Sequence, residues 1–120
     1  MTGMPPVGRV RDRSTFAALR RSGRRVRSGP ITVVFLPTAE PPFPRVAFTV
    51  ERRVGSAVTR NRVRRRLRAI MAAERERLEP GAYLLMTTPE TATLTYDEMR
   101  STVSSALAAL GRHGSADGRR

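Results

Sequence analysis

The chain has 120 residues, a hydrophobic content of 39% and a formal net charge of +13. This length suits one small domain, and the absence of cysteine excludes disulfides and thiolate metal sites. No apolar run approaches the roughly 20 residues that span a bilayer, and the first residues lack the apolar core of a signal peptide, so we expect a cytoplasmic protein.

The first half of the chain predicts a basic arm, a helix and two strands. Residues 1–13 are expected to be flexible, and Ser14 can cap a short helix that stops at Gly23, before an arginine-rich loop. Residues 31–36 are rich in β-branched side chains and predict a strand. After a proline-rich loop, the alternation in residues 46–50 predicts a second strand with one apolar face.

The second half predicts helix, strand and helix. Ser56 can cap an amphipathic helix that ends at Pro80-Gly81; its apolar stripe is Val63, Leu67, Ile70, Met71 and Leu78. Residues 82–87 form an apolar run typical of a central strand buried on both faces. Thr95 and Glu98 form a capping box for the last helix, whose stripe is Met99, Val103, Ala106, Leu107 and Leu110.

The order α-β-β-(β)-α-β-α predicts a single small α+β domain in which helices pack on a sheet. We place this domain at residues 14–110 and expect residues 111–120, which are polar and contain glycine, to be a disordered tail.

The charge is concentrated at one end of the long helix. All 23 basic residues are arginine, and residues 1–73 hold seventeen of them against three carboxylates, whereas residues 74–120 have a net charge of −1. Six arginines lie within residues 60–68, although a helix N-terminus already carries about half a positive charge. Because guanidinium binds phosphate through paired hydrogen bonds, we expect RNA or DNA here. Arg75 and Arg77 alternate with glutamates and predict an ordinary solvated face.

Two other side chains have open alternatives. Asn61 can order neighbouring guanidiniums or contact a nucleic acid, or it can form only a local hydrogen bond. Phe16 is expected either in the core or as a stacking platform for an unpaired base, whereas Phe35, Phe48 and Tyr83 are assigned to the core. No acid–base pair, glycine-rich phosphate loop or nucleophile motif is apparent, so catalysis by protein side chains is not expected.

Residues 53–68 read Arg-Val-Gly-Ser-Ala-Val-Thr-Arg-Asn-Arg-Val-Arg-Arg-Arg-Leu-Arg. This segment resembles the signature of the bacterial ribonuclease P protein component: a basic residue, then Gly-x-Ala-Val-x-Arg-Asn-Arg, then a basic helix. Phe16 followed by Gly23 and the Leu-Thr-Tyr-x-Glu segment at residues 94–98 extend the resemblance over roughly residues 8–110.

The resemblance implies a subunit of the endonuclease RNase P, which removes the 5′ leader of precursor tRNA to give the mature 5′ end. The implied partners are the catalytic RNase P RNA and precursor tRNA, with no membrane and no obligate protein partner. The implied cofactor is Mg²⁺, bound mainly by the RNA subunit, which performs the hydrolysis with ordered phosphate ligands.

The resemblance also assigns sites and a fold. The RNA-binding positions are Arg52, Arg53, Arg60, Asn61, Arg62, Arg64, Arg65 and Arg68. A cleft between the first helix and the sheet holds the leader, with Phe16, Arg20 and Val34 at its positions. The implied fold, like that of ribosomal protein S5 domain 2, has a mixed central sheet with a left-handed β-α-β crossover, against the general right-handed rule.

Two other classes share the basic surface. A small ribosomal or RNA-chaperone protein would bind RNA without promoting cleavage. A DNA-binding regulator would place the arginine helix in a major groove, but no helix-turn-helix pair is visible in the pattern.

Overall fold

The computed structural model describes residues 7–118, with side chains as far as residue 111. The strands are β1 (Gly8–Arg9), β2 (Arg24–Ser28), β3 (Ile31–Pro37), β4 (Pro44–Val50) and β5 (Gly81–Thr87). The helices are α1 (Arg13–Ser22), α2 (Ala57–Ala73) and α3 (Tyr96–Gly118), with short 3₁₀ turns at Arg52–Val54, Arg75–Arg77 and Pro89–Thr93. These elements confirm the predicted single α+β domain.

The strands form one mixed sheet in the order β1-β4-β5-β3-β2. The central strand β5 pairs in parallel with β4 and antiparallel with β3, and almost all its residues are buried, as predicted. Strand β4, helix α2 and strand β5 therefore form the predicted β-α-β unit. The left-handedness of this crossover stays a prediction.

Each face of the sheet has its own apolar core. Helices α2 and α3 cover one face, and their predicted stripes are buried there, with Leu78 partly buried just beyond α2. Helix α1 covers only part of the other face, where Leu19 packs with Val34, Ala47 and Leu84. A helix of ten residues is too short to cover a sheet of this width, so part of that face stays accessible.

The start of the domain differs from the prediction. Residues 8 and 9 pair in parallel with β4 and Val10 is buried, so this part of the expected arm is ordered; residues 1–6 lie outside the described residues. Asp12, not Ser14, caps α1, because its carboxylate accepts a 3.0 Å hydrogen bond from the Thr15 backbone N–H. Hydrogen bonds from the side chains of Thr15 and Ser14 hold the pKa of Asp12 well below its usual range.

The arginine-rich segment after α1 is strand β2, not a loop. It pairs antiparallel with β3 across all five of its residues. Arginine occupies three of the five positions of this strand and so conceals the apolar alternation by which a strand is normally recognised, and the pairing with β3 supplies the backbone hydrogen bonds.

The end of α2 also differs. The helix stops at Ala73, well before Pro80, and a 3₁₀ turn follows. Glu74 is buried: it accepts a 3.0 Å hydrogen bond from Arg77 Nη1 and lies 3.7 Å from Arg100 Nε. Arg77 also donates to Ser104 Oγ on α3, at 2.7 Å. The predicted solvated face is therefore wrong for Glu74, whereas Arg77 is exposed as predicted but also connects the end of α2 to α3.

The last helix is longer than predicted. Helix α3 begins at the predicted capping box: Thr95 N donates to Glu98 Oε1 at 2.9 Å and Glu98 N donates to Thr95 Oγ1 at 3.1 Å. Its backbone continues to Gly118, through most of the tail predicted to be disordered. Elongating an existing helix needs no new nucleus, so a polar segment can continue it. Residues 119 and 120 lie outside the described residues.

Candidate nucleic-acid interface

The start of α2 is built by a glycine and a serine. Gly55 has φ = 153°, and a Cβ atom at this position would lie 2.9 Å from Thr59 Cγ2, so the backbone here requires glycine. Ser56 is the N-cap, and its Oγ accepts a 3.2 Å hydrogen bond from Thr59 N, as predicted. Arg60 folds back over this start, since its Nε donates to the Gly55 carbonyl at 3.2 Å.

The arginines of α2 lie on two flanks of a buried stripe. No acidic residue occupies the first turn and no basic residue occupies the last, so the charge order opposes the helix dipole, as the sequence indicated. Burial of Val63 and Leu67 against the sheet anchors the helix and leaves its flanks accessible. Of the predicted RNA-binding side chains on α2, Asn61, Arg65 and Arg68 are exposed, whereas Arg60, Arg62 and Arg64 are partly exposed.

One of the alternatives for Asn61 is observed. Its Oδ1 accepts a 3.1 Å hydrogen bond from Arg64 Nη1, so the amide orders a neighbouring guanidinium. A direct contact of Asn61 with RNA stays a prediction.

Arg52 and Arg53 lie in the 3₁₀ turn just before α2, and both are exposed. Arg53 donates through Nε and Nη2 to Glu51 Oε1, at 3.2 and 2.9 Å. An exposed ion pair of this kind is weak, so both arginines can add positive charge beside the start of α2.

A groove of about 240 Å³ lies at the outer edge of β4. Strand β1 pairs only with Arg45 and Val46, so β4 has no strand partner among the described residues along the rest of this edge. We call this space the edge groove; its lining residues are Arg9, Val10, Phe16, Val46, Ala47, Phe48, Arg64 and Arg68. The edge groove is therefore lined both by Phe16, a predicted leader contact, and by Arg64 and Arg68, two predicted RNA-binding arginines.

Arg68 and Phe48 form one wall of the edge groove. The Arg68 guanidinium carbon lies 5.2 Å from the centre of the Phe48 ring, within the range of a cation–π contact. Burial lowers the pKa of Arg68, and the nearby charge of Arg9 lowers it further. Phe48 is only partly buried, so it is not the purely internal residue that was predicted.

The sheet floor beside α1 is a second accessible surface. The strand register places Arg27, Thr32, Met86 and Thr49 in one row across β2, β3, β5 and β4. None of these four side chains is buried, whereas the adjacent row through Val34, Leu84 and Ala47 is buried beneath α1.

The structure corrects one predicted cleft residue. Val34 is fully buried, and a Cβ atom added at Gly23 would lie 2.4 Å from its Cγ1, so Val34 supports α1 and is not available to a leader strand. Arg20 is exposed one turn after Phe16, on the same side of α1, but it does not line the edge groove.

Arg9 and Phe48 were not predicted as site residues. Arg9 lies in the segment that the sequence predicts to be flexible, and only the pairing of β1 with β4 places it beside Arg68. The apolar alternation of β4 correctly puts Phe48 on the face of Val46 and Val50. Alternation does not reveal that this strand borders an open edge.

In the part of the chain that the structure describes, no cluster of three or more His, Asp or Glu side chains is positioned to hold a metal ion. No helix there combines the length and apolar character needed to cross a membrane.

Comparison with known proteins identifies the family. The model of the family described as Ribonuclease P matches residues 4–111. The "Ribonuclease P protein component" of Thermobifida fusca is 37% identical over an alignment of 117 residues that covers 91% of this chain and 80% of that protein. The protein of the same name from Kocuria rhizophila is 39% identical over an alignment of 111 residues that covers 91% of this chain and 96% of the relative.

A solved structure supports the fold. The Staphylococcus aureus RNase P protein superposes with a TM-score of 0.79 at 17% identity, covering 85% of this chain and 94% of that one. At this identity the likeness shows the fold alone, whereas the family match and the curated relatives show the family. The chain, with its arginine helix beside an aromatic groove, therefore belongs to the ribonuclease P protein component family.

Proposed function

We propose that this chain is the protein subunit of a cytoplasmic RNase P holoenzyme, in which it binds the catalytic RNA through the start of α2 and the precursor leader through the edge groove. The observation that carries the proposal is the juxtaposition of Phe16 with Arg64 and Arg68 in one groove. An aromatic ring beside guanidiniums suits an unpaired strand, because the ring stacks on a base and the cations bind phosphates.

The arginine helix acts by neutralising RNA phosphates. Each phosphate contact releases counterions and adds about 0.9 to the slope of log affinity against log salt for a double helix, or about 0.7 for a single strand. The buried stripe of α2 holds the arginines in place, and the hydrogen bonds from Arg60 to Gly55 and from Arg64 to Asn61 restrict two of their side chains. Less side-chain freedom is then lost on binding.

The groove selects precursor over mature tRNA, because only the precursor has a leader to occupy it. Among the predicted leader contacts, Phe16 lines the groove, Arg20 is available nearby and Val34 is excluded by burial. Beside Phe16 the groove has one further aromatic residue, Phe48, and three arginines, Arg9, Arg64 and Arg68, so leader binding is expected to have a large electrostatic part and to depend strongly on salt.

Mg²⁺ bound to the RNA would supply the nucleophile and stabilise the leaving oxygen of the phosphodiester. The described residues of this chain offer no cluster of three or more metal-binding side chains, so the proposal assigns Mg²⁺ to the RNA. The contribution of the protein is electrostatic: its arginines lower the repulsion between two polyanions, so the complex assembles at a lower Mg²⁺ concentration.

The experiment is reconstitution of the protein with the catalytic RNA and precursor tRNA at low Mg²⁺. Stimulated cleavage supports the proposal, whereas RNA binding without stimulation indicates the ribosomal or RNA-chaperone alternative. Replacing Arg60, Arg64 and Arg68 by Ala is expected to weaken RNA binding and flatten its salt dependence. Arg21→Ala removes an exposed arginine of α1 that is not among the residues lining the edge groove and is the control. An unchanged affinity and slope in the triple variant would contradict the assignment.

A further inference from the structure

A second cavity, of about 280 Å³, adjoins the edge groove along β1. We call it the β1 chamber; its lining residues are Val7, Gly8, Arg9, Val46, Arg68, Ala72 and Arg75. Arg9, Val46 and Arg68 line both spaces, so the two cavities are direct neighbours. A strand that passes Phe16 in the edge groove can extend past Arg9 and Arg68 into the β1 chamber.

The lining of the β1 chamber indicates the chemistry of its ligand. Three arginines, Arg9, Arg68 and Arg75, line the chamber together with Val46 and Ala72, and none of the described residues that line either cavity carries a carboxylate. Arg9 and Arg68 are close enough for the charge of one to lower the pKa of the other. Like charges that face one space repel each other, and an anion placed between them makes the arrangement favourable.

The early end of α2 completes this cluster. The helix stops at Ala73, and the 3₁₀ turn that follows contains Arg75, which lines the chamber beside Ala72. An uninterrupted helix to Pro80, as the sequence suggested, would advance by 100° per residue and give the side chain at position 75 a different direction. The chamber therefore depends on a local feature that has no part in the edge groove.

We propose that the β1 chamber holds a backbone phosphate of the same unpaired leader whose base contacts Phe16, with Arg9 and Arg75 as further binding residues and Arg68 shared between the two cavities. This inference rests on the proposed function. None of the described residues that line the chamber is aromatic, so the chamber contacts the sugar-phosphate backbone instead of stacking on a base. Its contribution to binding is accordingly independent of the leader sequence.

The test determines whether a particular leader phosphate contacts a particular arginine. Precursor tRNAs carry one uncharged methylphosphonate at each leader position in turn, and their affinities are measured for holoenzymes reconstituted with the wild-type protein, Arg9→Gln, Arg75→Gln or Arg21→Gln. We expect one position at which neutralisation weakens wild-type binding by up to about fivefold, the size of an exposed ion pair. The same modification should change the affinity little for holoenzymes that carry Arg9→Gln or Arg75→Gln. It should weaken binding by the full wild-type factor for the control Arg21→Gln.

Two outcomes would overturn the inference. If modification of every leader position lowers the affinity of the Arg9 and Arg75 variants by the same factor as that of the wild type, no leader phosphate occupies the chamber. If both variants instead weaken binding to the catalytic RNA in the absence of precursor, the chamber belongs to that RNA. Failure of the proposed function is distinguishable, because the wild-type protein would then not stimulate cleavage of unmodified precursor.

Folding does not confound this test. Arg9 and Arg75 are both exposed, so neither substitution removes core packing, and thermal unfolding of each variant checks this. Arg75 lies outside β1, so Arg75→Gln retains the strand even if Arg9→Gln loosens it.

Discussion

Asn61 holds Arg64 in the edge groove through the 3.1 Å hydrogen bond from Arg64 Nη1 to its side-chain oxygen. We expect Asn61→Ala to weaken leader binding by up to about fivefold, because the freed guanidinium loses side-chain entropy on binding. In an Arg64→Gln background the same substitution should lower the leader affinity much less, and a double-mutant cycle measures the coupling between the two residues. Equal losses in both backgrounds would show that Asn61 acts directly on the RNA.

Val58 is the exposed large apolar side chain in the described part of the chain, at 76% exposure. It lies in the first turn of α2 among the arginines, so we expect it to pack against a sugar or base of the catalytic RNA. Val58→Thr should weaken RNA binding by about fourfold, the value of one buried methyl group. The salt slope should stay unchanged, because an apolar contact releases no counterions.

The matched variant for Val58 is Arg62→Gln, which should reduce the salt slope by about 0.9 for a contact with helical RNA. Thermal unfolding of Val58→Thr should match the wild type, since the side chain is exposed. Wild-type affinity of Val58→Thr would exclude an apolar contact at this position.

Glu74 connects α2 to α3, because it pairs with both Arg77 and Arg100 from a buried position. We expect Glu74→Ala to lower the free energy of unfolding by about 2 kcal/mol, the scale of a lost hydrogen bond to a charged group. The control Glu76→Ala removes an exposed carboxylate and should stay within about 0.5 kcal/mol of the wild type. Urea denaturation measures both, and equal effects would restore the solvated-face interpretation.

Gly55 and Gly111 respond oppositely to alanine. At Gly55 the backbone has φ = 153° and the added Cβ meets Thr59, so Gly55→Ala should cost about 1–3 kcal/mol of stability. It should also weaken RNA binding, since Arg60 is bonded to the Gly55 carbonyl. At Gly111, within α3, no atom lies within 4 Å of the added Cβ, so Gly111→Ala should raise the unfolding free energy by about 0.5–1 kcal/mol. A destabilised Gly111→Ala variant would contradict the helical assignment there.

We expect Tyr83 to make the stability of the fold depend on pH in the alkaline range. Burial raises the pKa of Tyr83 to about 12 from the ordinary value of 10.0, so the folded state favours the neutral phenol. This contribution is fully present below pH 10 and is lost as the pH rises to about 12. Tyr83→Phe should give a flatter stability curve in this window. It should also be less stable at neutral pH, because the Glu79 N–H loses its 2.9 Å acceptor; an unchanged alkaline slope would exclude Tyr83 as the titrating group.

Local patterns in the sequence determined the parts of this protein that depend on neighbouring residues. The cap at Ser56, the buried stripe of α2, the capping box at Thr95 and the apolar run of β5 each follow from periodicity or from hydrogen bonds that span three or four residues. The placement of arginine at the start of α2, where the dipole opposes it, likewise predicted from local charge alone the surface that we propose for nucleic acid.

Tertiary structure alone decided which distant residues share a site. Strands β1 and β2 exist because β4 and β3 supply their hydrogen-bond partners, and neither segment has a strand pattern of its own. The same pairing brings Arg9 beside Arg68, leaves Phe48 at an open edge and buries Val34 beneath α1. Burial and strand pairing depend on contacts between residues far apart in sequence, so the arginine helix could be predicted whereas the groove beside it could not.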